Sequence, residues 1–117
     1  MKSMKIVVLA SAVAFAASTV PSFAAEAIVG NWKRSNGTII KYSGGGSKFC
    51  GTVMTGEYKG KSIGCMNGSG GKYTGEVNKL DEGKTYSGKA SVSGGSMKLS
   101  GCVMGGIICK SETLVRQ

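Results

Sequence analysis

Beyond residue 27, apolar and polar side chains alternate in short bursts, and turn residues interrupt the chain roughly every eight to twelve positions. That rhythm belongs to an all-β protein. Asn36-Gly37 is a two-residue hairpin signal. Gly44-Gly45-Gly46, Asn67 to Gly71, Asp81-Glu82-Gly83, Gly94-Gly95 and Gly105-Gly106 mark further breaks. The segments between them predict eight strands, at 28–34, 38–43, 48–55, 61–66, 72–78, 84–92, 97–103 and 107–116. No segment keeps apolar 3-4 spacing long enough to compete as a helix. Trp32 on the first strand and Arg116 on the last can meet only if the sheet curls round and closes. The expected architecture is a small antiparallel up-and-down β-barrel of about eight strands.

The alternation also assigns faces. Ile28, Gly30 and Trp32 share one face of the first strand, and Phe49, Gly51 and Val53 share one face of the third. Tyr73, Gly75 and Val77 follow the same rule, as do Tyr86, Gly88 and Ala90, and Met97, Leu99, Gly101 and Val103. A glycine therefore recurs within the apolar face of five strands. Tight coiling with close strand approach is the plain explanation, and a widened cavity is the functional one.

The start of the chain follows a different pattern. Lys2 and Lys5 precede an apolar run from Ile6 to Val20, followed by Pro21 and Ser22-Phe23-Ala24. A basic start, a short apolar middle and a small-residue exit read as a secretory signal peptide, residues 1–24, cleaved after Ala24. A membrane anchor fits less well, because a spanning helix needs roughly 20 apolar residues. Residues 25–117 then form a single domain with a thin core for which covalent staples help. All four cysteines lie in that part, and an even count in an exported chain reads as two disulfides. The expected location is periplasmic or extracellular.

Charge narrows the partners. The leader holds two of the fifteen basic residues and none of the six acidic ones, so the remainder carries +7. That suits an anionic envelope component or an acidic protein. Lys33, Lys41, Lys48, Lys72, Lys89 and Lys98 are strewn singly, however, as on solvated faces and guarded edges. Nucleic acid is a poor fit without a basic cluster or a row of stacking aromatics.

Catalytic chemistry finds little support. The chain has no histidine, and no Ser or Cys has a base at a readable spacing. Asp81 and Glu82 sit side by side in a turn, and no carboxylate pair flanks a recognisable cleft. Without histidine or a Cys-x-x-Cys spacing, neither a metal nor a cofactor site is expected. The glycine runs lack the phosphate-loop pattern and its helix. On the last strand, Lys110 and Glu112 share parity with Leu114 and Arg116. A charged group is thus expected to point inward, either in an ion pair with Arg116 or as a contact for an anionic ligand.

Several motifs together resemble the bacterial domain-of-unknown-function 2147 family (DUF2147). They are Ile28-Val29-Gly30-Asn31-Trp32, Phe49-Cys50-Gly51-Thr52-Val53, Glu82-Gly83-Lys84-Thr85-Tyr86-Ser87-Gly88, and the run from Gly101 to Ser111 with Arg116 beyond it. The most specific is the third, with Gly83, Lys84, Thr85, Tyr86 and Gly88. The match spans 28–116 and implies an exported lipocalin-like (calycin-like) barrel, without implying an activity. In such barrels the Gly-x-Trp tryptophan packs at the closed end beneath a cation from the final strand, which assigns Trp32 and Arg116 to closure. Leu114 stands where the family commonly carries Trp, and the chain crosses directly from Thr55 to Ser62.

Three disulfide pairings are open to the four cysteines. Cys102 and Cys109 flank a Gly105-Gly106 turn and fall opposite each other in a hairpin, which leaves Cys50 with Cys65. The resemblance covers Cys50, Cys102 and Cys109 better than Cys65, so a bridge from Cys50 to a closing cysteine is the rival. The functional expectation is a non-enzymatic barrel binding a small apolar or amphipathic molecule in its mouth. Tyr42, Phe49, Tyr73, Tyr86 and Met97 are the candidate linings. The alternative is a cationic envelope or periplasmic interaction protein, an inhibitor or surface binder, that uses its outer face.

Overall fold

The computed structural model describes residues 25–117, and the expected leader helix, 1–24, lies outside the described residues. Eight strands follow in order: β1 (Gly30–Lys33), β2 (Ile39–Gly45), β3 (Lys48–Val53), β4 (Ser62–Ser69), β5 (Lys72–Lys79), β6 (Lys84–Ser93), β7 (Ser96–Val103) and β8 (Ile108–Arg116). Each pairs antiparallel with its neighbour, and β8 returns to β1, so the sheet is a closed up-and-down barrel. A short 3-10 turn at Met104–Gly106 joins β7 to β8.

Several expected boundaries move by one to three residues, two of them for evident local reasons. β4 extends to Ser69 because Asn67 pairs with Thr74 and Ser69 with Lys72, which leaves Gly70-Gly71 as the turn. β1 stops at Lys33 because Arg34 begins the turn. There the Gly37 amide donates to the Arg34 carbonyl at 2.9 Å, and Asn36 Oδ1 accepts from the Thr38 amide at 2.9 Å. An Asn side chain that captures the amide two residues on is what favours Asn in such turns.

Inward positions follow the strand alternation except on β4, where Ile63 and Met66 are both buried although they are three positions apart and so of opposite parity. The β3–β4 register shifts next to Gly51, and Gly64 takes φ +105°, a backbone conformation that favours glycine. A bulge there turns the strand over by one residue and keeps both side chains inside.

The interior is filled unevenly. Up-and-down connectivity places the connections 34–38, 54–61, 80–83 and 104–107 at one end, with the other hairpin turns and both chain ends at the opposite end. The chain-end half is solid: Trp32, Tyr42, Phe49, Met66, Tyr73, Met97 and Leu114 are buried together, with Phe49 and Tyr73 edge to face at 5.8 Å. Three of the inward glycines make this density possible. A Cβ on Gly88 would fall 2.7 Å from both Met66 and Val77, and one on Gly51 would fall 2.8 Å from Ile63. A Cβ on Gly75 would collide with the backbone of β4. Close strand approach explains these positions.

Candidate functional site

The last strand meets the first at the solid end. Trp32 pairs with Arg116 and Lys33 with Val115. The Arg116 guanidinium carbon lies 4.2 Å from the Trp32 ring centroid. Its Nη1 donates to the Val29 carbonyl at 3.1 Å and its Nη2 to the Ala27 carbonyl at 2.6 Å. Trp32 Nε1 donates to the Ile28 carbonyl at 2.9 Å. Gly30, at φ +133°, leaves the space for the guanidinium, since a Cβ there would fall 3.1 Å from Nη1. The three successive carbonyls before β1 are thus all held by these two side chains, at the seam where the first strand meets the last.

The same end has a second plug that sequence reading missed. Glu26 Oε1 accepts from the Tyr73 hydroxyl at 2.8 Å and from the Gly70 amide at 2.9 Å. Desolvation, reinforced by this hydrogen bond to a carboxylate, raises the Tyr73 pKa above its ordinary value. A lone acidic residue just before an apolar strand carries no pattern that announces such a role.

The opposite end is hollow. A cavity of about 630 Å³ opens between the four connections. Ile40, Val53, Ile63, Val77, Leu80 and Leu99 give it apolar walls, and Arg34, Lys79, Asp81, Glu82, Lys110 and Glu112 lie around its mouth. This volume falls within the usual range for a small-molecule site. Of the five expected linings only Tyr86 borders the cavity. Tyr42, Phe49, Tyr73 and Met97 lie in the solid half instead, at most 2% exposed. The aromatic side chains expected as lining fill one end and leave the other to smaller aliphatic residues.

Gly101 explains part of the hollow. Its absent side chain faces Tyr86 at 3.5 Å and meets nothing closer, so here glycine widens the interior. The two readings of the inward glycines are both realised, side by side, since Gly88 and Gly101 are register partners across β6 and β7.

The polar rim is organised in two clusters. Arg34 grips Glu112 across the β1–β8 seam, with Nε 3.1 Å from both carboxylate oxygens and Nη2 2.8 Å from Oε1. Glu112 therefore pairs with Arg34, and the expected pairing with Arg116 is corrected: Arg116 is committed to Trp32 and the backbone. On the other side, Lys79 bridges Asp81 at 2.9 Å and Glu82 at 3.2 Å, and the Tyr86 hydroxyl donates to Glu82 at 2.7 Å. The bond from Tyr86, then Lys79, holds the Glu82 carboxyl below its usual range, and Lys79 does the same for Asp81. The bond to Glu82 pushes the Tyr86 phenol up.

The motif around Tyr86 builds this lip. Gly83 takes φ +67° in the turn, Thr85 Oγ1 donates to Asn78 Oδ1 at 2.8 Å, and Gly88 admits Met66 and Val77. Lys84 pairs with Lys79 in the β5–β6 register. A family model described as "Uncharacterized protein conserved in bacteria (DUF2147)" matches residues 30–116, which takes in this lip, both strands of the Trp32–Arg116 closure and every cysteine. The chain belongs to the DUF2147 family. No curated protein and no solved structure matches it.

Both disulfides of this DUF2147 barrel follow the local pairing. Cys50 and Cys65 sit in register on β3 and β4 with Cα atoms 3.9 Å apart, and Cys102 and Cys109 do so on β7 and β8 at 4.0 Å. The rival bridge from Cys50 to a closing cysteine is not formed, because the register gives each cysteine a partner directly across one strand pair.

The outer wall offers a shallower feature. A groove of about 440 Å³ across β4 to β7 is bordered by Lys72, Lys89 and Lys98 with Thr74, Ser91 and Ser100. Strand alternation brings these singly spaced lysines to one face.

Proposed function

We propose that this protein is a non-enzymatic, exported binder of a small amphipathic molecule, held in the open half of its barrel. The carrying observation is the aliphatic cavity of about 630 Å³ beneath a rim of charged groups. An apolar body fits the walls, and a polar end meets Arg34, Glu112 and Lys110. Export accords with two disulfides, which persist in oxidising compartments. At the rim Arg34 pairs with Glu112, and Lys79 with Asp81 and Glu82, and carboxylates held in such pairs favour binding over bond-making.

The test is native mass spectrometry of protein taken from its own cell envelope, in wild type and Gly101→Leu. Leucine at 101 meets only ordinary contact at its Cβ and projects into the cavity. A small molecule retained by wild type and absent from Gly101→Leu supports the reading. Equal retention by both, or none by wild type, counts against it.

The cationic groove on the outer wall favours one alternative, an interaction with an acidic protein or anionic envelope component. Salt separates the two, because exposed charge pairs are screened over about 8–10 Å at physiological ionic strength while burial in a cavity is not.

A further inference from the structure

The tip of the β7–β8 connection carries the least buried apolar surface among the described residues. Of the six large hydrophobic residues left exposed, four lie in this one stretch: Val103 (40%), Met104 (69%), Ile107 (83%) and Ile108 (55%). Solubility alone would place polar residues there. Met104 also takes φ 58°, the only non-glycine residue at positive φ among the described residues. A bulky apolar residue in that conformation is strained, and glycine or asparagine would relieve it. The Cys102–Cys109 bridge clamps the base of the tip.

Charge identifies the partner. The Lys89 ammonium reaches up the outer wall to the tip, 3.9 Å from where a Cβ on Gly106 would stand, and Lys110 lies just beyond the bridge. The carboxylates at this end lie away from the tip or are partly compensated: Glu112 holds Arg34, and Asp81 and Glu82 share Lys79 on the β5–β6 lip. Glu57 belongs to the β3–β4 connection, which strand order places across the mouth. An apolar knob flanked by two lysines that form no salt bridge among the described residues matches the interface of an anionic lipid bilayer, where apolar side chains enter the acyl boundary and ammonium groups stay among the phosphates.

We infer that the protein docks on anionic membranes through Met104, Ile107 and Ile108, with Lys89 and Lys110 meeting the lipid phosphates. Val103 and Ile108 also border the cavity, so docking brings the mouth to the bilayer surface. The inference does not depend on the cavity being occupied.

Co-sedimentation of the processed protein with vesicles of phosphatidylglycerol and phosphatidylcholine tests it, with vesicles of phosphatidylcholine alone as comparison. The expected result is binding to the mixed vesicles and little to the neutral ones. Met104→Asn combined with Ile107→Asp should weaken binding more than about tenfold, because each buried aliphatic side chain counts for at least that factor. Lys89→Gln should weaken it about fivefold, the worth of one cation at such a surface. Melting curves establish that these exposed substitutions leave the barrel folded. Binding of a dansyl-labelled fatty acid by the same variants reads the cavity separately, so the two proposals fail independently. Unchanged vesicle binding by the tip variant overturns the inference, as does failure of wild type to bind mixed vesicles. A dimer in solution that Ile107→Asp dissociates would also overturn it, by showing the tip covered by a second copy.

Discussion

Arg116 lies over the ring of Trp32 at 4.2 Å and ties the last strand of the barrel to the first. The contact is reinforced by its two bonds to the Ala27 and Val29 carbonyls, which only a planar, forked cation can make together. Arg116→Ala should lower stability by roughly 3–4 kcal/mol, about 0.5–1 from the cation–π contact and about 1.5 from each of two charge-assisted hydrogen bonds. Arg116→Lys should fall between, keeping the charge and losing the fork. Urea unfolding followed by Trp32 fluorescence measures both.

Tyr42 presents the opposite situation. Its hydroxyl is buried without a hydrogen-bond partner among the described residues, and burial raises its pKa well above the ordinary value. An unpaired buried hydroxyl costs about 1–3 kcal/mol. Tyr42→Phe should therefore raise the melting temperature, and a fall would show that the hydroxyl has a partner.

The inward glycines divide by position. Gly88→Ala should destabilise by about 1–3 kcal/mol, since an added methyl overpacks a full interior. Gly101→Ala, facing the hollow half, should change stability by less than about 0.5 kcal/mol. Paired denaturation curves for the two variants give the comparison directly.

The clasp of Lys79, Asp81, Glu82 and Tyr86 should respond to pH at both extremes. Both carboxyls titrate below their ordinary values of 3.8 and 4.5, so what they contribute is present above about pH 4.5 and is lost as pH falls through their lowered values. Tyr86 titrates above its ordinary 10.0, so its contribution is present below that pH and is lost as pH rises further. Hydrogen exchange should show the 80–83 turn opening as pH falls through the lowered carboxyl values, while the amides of Phe49 and Met97 stay protected.

Each disulfide should matter separately. By loop entropy the Cys50–Cys65 bridge is worth about 3 kcal/mol and the shorter Cys102–Cys109 loop about 2.5. Paired Cys→Ser variants, melted without reductant, measure each one.

Much of the barrel was legible in the chain because strand alternation and glycine-rich turns are local signals. Cys102 and Cys109 flank a turn, which favours the local pairing in the sequence but leaves a bridge from Cys50 to a closing cysteine open; the register of β3 with β4 and of β7 with β8 decides it. The closure by Trp32 and Arg116 was legible because ends of an up-and-down sheet must meet. The division of the interior was not. Parity tells whether Tyr73 points inward, but not whether it packs at the solid end or borders the hollow one; that depends on the register along the barrel axis. The same limit hid the Arg34–Glu112 clasp, whose members are 78 positions apart, and the Glu26 plug beneath Tyr73.

The division into one solid end and one hollow end is most directly examined by amide chemical-shift mapping while dodecanoate is added to isotope-labelled protein. The expected outcome is shifts concentrated at Ile63, Val77, Leu99 and Gly101, with Phe49, Tyr73 and Met97 unmoved. Shifts confined to Lys72, Lys89 and Lys98 on the outer wall, or none at all, would contradict a binding cavity at the open end.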